Sequence, residues 1–208
     1  MGARRELDGA DADSSARFRA AVERARSATP RAEVLVSDVP APQRIAPFAA
    51  ALGADITTDE GEIATGRLVL LHDPGGNDSW DGSWRCVTFV RAEVDPEMVR
   101  DPLLSAVAWS WLRDAWQARR LQAVAPSGTV TAVLSEGFGG IEADGLTAQV
   151  EVRASWTLAA EDPAADPIPD VRSHVEAWGD LLCSTAGLPP VPAGVVPLPP
   201  RSTRGRGT

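Results

Sequence analysis

The stretch "GLTAQVEVRASWTL", Gly145–Leu158, decides how the chain is built. Leu146, Ala148, Val150, Val152, Ala154 and Trp156 alternate with Thr147, Gln149, Glu151, Arg153 and Ser155. Successive side chains of a strand point to opposite faces, so this is a strand with one apolar and one wet face. A strand buried on both sides in a parallel sheet would read as an unbroken apolar run. Burial on one side predicts an antiparallel sheet.

Working outward, "SGTVTAVLSEGFGG", Ser127–Gly140, reads as the hairpin partner, its glycines supplying the backbone angles of a wide or bulged turn. "IATGRLVLLH", Ile63–His72, and "WRCVTFVRAEV", Trp84–Val94, read as two strands about the loop "DPGGNDSWDGS". In the second, Cys86, Thr88 and Val90 face one way, and Arg85, Val87, Phe89 and Arg91 the other, partly wet, way. "AEVLVSDV", Ala32–Val39, is a short strand, and the proline-rich segment after it predicts a short helix from Pro47 to Leu52 closed by Gly53.

Three further helices follow from apolar spacing. Phe18, Ala21, Val22 and Ala25 recur at helical intervals behind a cap at Ser14 or Ser15, with Pro30 as the stop. Both "VDPEM" and "RDPLL" put Asp before Pro, an N-cap followed by a first-turn proline, and Asp101 is the stronger start of a long helix. Its stripe is Leu104, Val107, Ala108, Trp111, Leu112 and Ala115. Asp170 caps a last helix bearing Val171, Val175, Trp178, Leu181 and Leu182, which Gly187 ends. The expected architecture is α+β, an antiparallel sheet of about five strands with helices on one face. The expected order is helix, strand, short helix, two strands, long helix, two strands, helix. Residues 1–13 read as a disordered leader, 14–188 as one domain, and 189–208 as a Pro/Arg-rich tail.

Composition narrows the function classes. The net charge of −9 disfavours phosphate backbones, so no nucleic-acid partner is expected. No apolar run nears the roughly 18 residues of a membrane span, and no apolar segment follows the basic residues at the amino terminus, so no membrane is expected and the cytoplasm is the expected location. Cys86 and Cys183 are too few and too far apart for a disulfide framework or a clustered metal site, and read as buried thiols.

Few residues offer chemistry. Asn77, Ser79, Asp81 and Gly82 echo the start of a calcium loop, but the closing acid position falls on Thr88 inside a strand, and "DG" between strands signals a hairpin turn. Asn77 and Asp81 are therefore weak metal candidates. His72 with Asp73, and Glu136 on the other hairpin, are weak catalytic candidates, since no "GxSxG" elbow or activated cysteine accompanies them. "LSEGFGG" lacks the Lys and the following helix of a phosphate loop. No cofactor is expected. Trp109 and Trp116 lie seven apart, toward the flank of the long helix's stripe, where either a second layer of the domain or a partner must cover them.

The strings "APQRIAPFAAALGA", "ATGRLVLLHDPGGNDSWDGSWRCVTFVRAEVDPEM", "DPLL", "WSWL", "LSEGFGG", "RASWT" and "WGDLLCSTAGLPP", in this order, resemble an actinobacterial family, the domain of unknown function numbered three thousand. The resemblance covers roughly Phe18 to Pro190 and implies a cytosolic protein with no assigned activity. With the short helix set aside, the expected element order is also similar to the type III secretion chaperone-like fold, whose members are small acidic dimers that bind proteins. The leading expectation is a non-enzymatic protein-binding or regulatory module with another protein as partner and a possible homodimer. The rival is an enzyme or small-molecule binder with a pocket at the hairpin loops near His72.

Overall fold

The computed structural model describes residues 2–59, 61–159 and 168–189. Six antiparallel strands form one sheet: β1 (Leu35–Val39), β2 (Phe48–Thr58), β3 (Gly61–Asn77), β4 (Gly82–Glu93), β5 (Ala123–Glu136) and β6 (Leu146–Leu158). They lie in the order β1-β2-β3-β4-β6-β5. The helices are α1 (Gly2–Arg26), α2 (Pro96–Val99), α3 (Leu104–Ala118) and α4 (Val171–Thr185). A 3₁₀ turn at Gly139–Asp144 joins β5 to β6.

The alternation in β6 is realised. Ala148, Val150, Val152, Ala154 and Trp156 are buried, while Arg153 is exposed. Their row continues across the sheet, since Trp156 pairs with Cys86 and Cys86 with Leu70. Helices cover that face. Trp178 of α4 lies over Gly66 of β3, where an added Cβ would sit 3.0 Å from its ring. Trp109 of α3 lies likewise over Gly128 of β5. Trp116 meets Trp156 edge to face at 5.1 Å, a favoured geometry for aromatic pairs. Arg119 ties α3 to α4 through Asp180 at 2.8 Å and Glu176 at 2.7 Å.

The short helix expected at Pro47–Leu52 is instead the first part of β2. Phe48, Ala50 and Leu52 pair with His72, Leu70 and Leu68, so a strand gives this alanine-rich segment partners and an inward face that a free short helix would lack. The sheet thus has six strands, one more than the order that resembled the chaperone-like fold. α1 starts at Gly2, inside the stretch read as a disordered leader and ahead of Ser14 and Ser15. The residues there are mostly helix formers with no proline to interrupt them. The tail expected over 189–208 lies, beyond Pro189, outside the described residues.

The helix starts follow the Asp-Pro signals. Asp95 Oδ1 accepts from Glu97 N at 2.8 Å and caps α2, and Asp101 Oδ1 accepts from Leu103 N at 2.8 Å just before α3. α3 itself starts at Leu104, with Leu103 as its N-cap. Val107, placed on its apolar stripe, is 42 % exposed, and Trp116 takes up the buried role instead. Asp170 caps α4 through Ser173 N at 3.1 Å, and Gly187 adopts φ +73° just beyond it.

Candidate functional site

The two hairpin loops are at opposite ends of the sheet. His72 pairs with Trp84, whose row runs on to Leu158 and Ala123, whereas Glu136 pairs with Leu146. From Leu158 to Leu146 is twelve residues of one strand, roughly 40 Å at the usual rise. A pocket shared by His72, Asp73, Asp81 and Glu136 is therefore not formed. Alternating patterns show which face a residue takes but not which end of the sheet it reaches. That depends on the crossing order β4-β6-β5.

His72 is itself buried, on the helix-covered face. Its ring stacks on Trp84 with centroids 3.8 Å apart, and Phe48 and Phe18 of α1 close the stack at 5.9 and 6.4 Å. Nδ1 lies 3.0 Å from the Ser83 carbonyl, which can only accept, so Nδ1 carries the proton. Burial pushes the imidazole below its ordinary pKa against the smaller opposing pull of that carbonyl. Asp73 faces away from this stack, and its Oδ1 accepts from Gly75 N at 3.2 Å in a local turn. His72 is a neutral core side chain in this arrangement, and Glu136 is an exposed strand end.

The loop after β3 is a hairpin tip. Trp80 N donates to Asn77 O at 2.9 Å, Asn77 Oδ1 accepts from Ser79 N at 3.0 Å, and Asp81 takes φ +57° before Gly82 re-enters the sheet. The oxygens proposed as cation ligands are thus engaged in or shaped by the turn. Among the described residues no group of three or more His, Cys, Asp or Glu side chains could hold a metal ion.

The second histidine is deeper. His174 of α4 is 2 % exposed, and its Nδ1 accepts from Trp156 Nε1 at 3.1 Å. Burial lowers its pKa to about 4, so it is neutral with the proton on Nε2. Cys86 and Cys183 are buried free thiols; burial raises both, Cys183 to about 11. Neither is an activated nucleophile.

Trp116 is 6 % exposed and belongs to the core, packed edge-on against Trp156 of β6. Trp109 is half-buried on β5. A groove of about 340 Å³ lies where α1, β1, β2 and α4 meet, and its charged lining, Arg26 and Asp38, is paired at 3.1 Å.

The sheet face read as partly wet carries no helix among the described residues. Near the β3–β4 tip, Ala51, Val69 and Leu71 form a second apolar cluster closed by Ala41, Ala46 and Trp80. Beyond it, over β4 and β6, no described residue covers the face. Val87 is 37 % exposed, and Arg153 places its guanidinium 5.2 Å from the half-buried ring of Phe89. Arg91 is exposed in the same row. At one border the buried Arg85 donates to Thr157 Oγ1 at 3.0 Å, Ser155 Oγ at 2.7 Å and the Ala125 carbonyl at 3.1 Å. Ala125 sits in a register break between Val124 and Ser127, so Arg85 satisfies an acceptor that the bulge removes from the ladder. The alternation of Arg85, Val87, Phe89 and Arg91 was the signal for this face; only the placement of all the helices on the opposite side leaves it open.

Among the described residues no helix is long and apolar enough to cross a membrane. No curated protein and no solved structure matches the chain. One family does, over residues 14–196, and its description is "Protein of unknown function (DUF3000)". That match takes in α3 and α4, all six strands and most of the candidate residues weighed above, so the chain belongs to the DUF3000 family.

Proposed function

We propose that the protein is a non-enzymatic, cytoplasmic protein-binding or regulatory module, chaperone-like in that it holds another protein and performs no reaction on it. One observation carries the reading: the helices cover a single face of the sheet, and the opposite face exposes Val87 and part of Phe89 among Arg91 and Arg153. The frame around them is of mixed charge, with Arg91 exposed and Arg153 paired to Glu151 at 3.0 Å, so the face suits a partner segment that is apolar at its centre and polar at its flanks. The histidines support no competing reading as catalysts, since both rings are buried and neutral.

The test is capture from the native host, followed by reconstitution with the purified partner. Wild-type protein is expected to bind it stoichiometrically, and Val87→Asp to weaken binding at least about tenfold, because a carboxylate replaces apolar contact. Unchanged affinity of Val87→Asp and of Arg153→Glu would remove this face from the proposal. Val87 is exposed, so neither result is confused with unfolding.

A further inference from the structure

The two edges of the sheet are treated differently. β1 has five residues, ends at Pro40, and is guarded by Asp38, which α1 holds through Arg26 Nε at 3.1 Å. Shortness, proline and charge are the devices by which proteins keep an edge strand from pairing, and they limit this edge even though Leu35 and Val36 are exposed on it. β5 has fourteen residues, and among the described residues it pairs with β6 alone. Its own proline, Pro126, falls in the break at Val124/Ser127, and beyond that break it pairs with β6 without interruption from Ser127 to Glu136, about 33 Å of strand. Its side chains carry no charge until Glu136, and Thr129, Val130, Thr131 and Val133 favour extended backbone. Val133, Leu134, Phe138 and Leu146 are all exposed on β5 or the hairpin that follows it.

From this contrast we infer that the β5 edge is closed by a second copy of this chain. The two β5 strands run antiparallel about a two-fold axis perpendicular to the sheet and make it twelve-stranded. Three observations select a copy over other occupants. A two-fold pairs β5 with itself, so the same uncharged, β-branched residues face one another. Copies that each carry −9 repel over most of their surfaces, and a seam with no ionisable side chain from Ser127 to Ser135 is where they repel least. The segment after Pro189 is a poor substitute, since Arg31 holds the Pro189 carbonyl at 2.8 Å next to β1's side of the molecule. It also carries Pro190, Pro192, Pro197, Pro199 and Pro200, which interrupt any strand ladder. In the pairing, faces are preserved, so Leu134 and Val130 of both copies meet on the helix side, and Val133 and Thr131 meet on the opposite side.

This seam is distinct from the face proposed for the partner, and the two fail separately. Sedimentation velocity and light scattering on the full chain, from low micromolar to a few hundred micromolar, should give twice 21.9 kDa. The Thr131→Lys/Val133→Lys double variant places like charges across the seam, at positions exposed in the monomer, and should raise the dissociation constant at least about tenfold. Val87→Asp should leave the dimer intact. Hydrogen exchange on the wild type, which needs no variant to fold, should show β5 amides between Ser127 and Ser135 losing protection on dilution. A monomer throughout, a dimer unmoved by the lysines, or an open series of larger species overturns the proposal. So does a monomer that dimerises only after residues 190–208 are removed, because the tail would then be the occupant.

Discussion

Lowering the pH from 7 to 5 should destabilise the protein by roughly 2 kcal/mol through His174 alone. The imidazole is enclosed by α4 and the sheet, 2 % exposed, with Nδ1 committed to the Trp156 indole N–H. Its pKa is about 4 in the fold against an ordinary 6.5. Between those values the unfolded chain binds a proton that the folded chain refuses, so stability rises with pH there and is complete above 6.5. Each pH unit in the window is worth about 1.4 kcal/mol, giving roughly 3 kcal/mol across the whole window and about 2 from 6.5 down to 5. Urea melts at pH 7 and pH 5 measure this directly. His174→Gln is the control, since its side-chain amide can still accept from Trp156 but cannot titrate. His72 is also lowered by burial and adds loss of the same sign. The diagnostic quantity is therefore the wild-type pH loss minus that of His174→Gln, expected near 2 kcal/mol. A difference near zero would mean that His174 is protonated in the fold or is not buried, and would refute the argument.

Other perturbations follow from contacts already described. Gly66→Ala should cost ~1–3 kcal/mol in thermal or urea unfolding, since its Cβ would come 3.0 Å from the Trp178 ring. Trp116→Ala should cost ~3–5 kcal/mol, the range for a buried Trp, because it removes the ring against Trp156. Arg85→Leu should loosen the start of β5, leaving the Ala125 carbonyl and three hydroxyl groups without their donor, and is read as faster amide exchange over residues 123–127. Calcium or a chelator should leave the melting temperature unchanged, as the oxygens of Asn77 and Asp81 shape a turn; a rise with calcium would restore the cation reading.

Much of the site reasoning was legible locally, because it concerns faces. The period-two pattern of Leu146–Trp156 placed one side of β6 in the core, and the Asp-Pro pairs marked where helices begin. The same local signals misread Pro47–Leu52, where three consecutive alanines and a closing glycine look helical until β3 provides strand partners. They also suggested flank exposure for Trp116, which Trp156 covers from a strand forty residues later in the chain.

The sequence by itself determined the α+β class, the antiparallel habit, the capped helices and the family. These depend on residues within one or two turns or along one strand, where periodicity and side-chain chemistry act directly. Tertiary structure decided everything that joins distant segments. The order β4-β6-β5 carried Glu136 roughly 40 Å from His72, and α1 enclosed that histidine with Phe18. Placing every long helix on one face left Val87 and the β5 edge uncovered among the described residues. Pairing partners and layer order are set by summed burial over the whole chain, which no single stretch encodes.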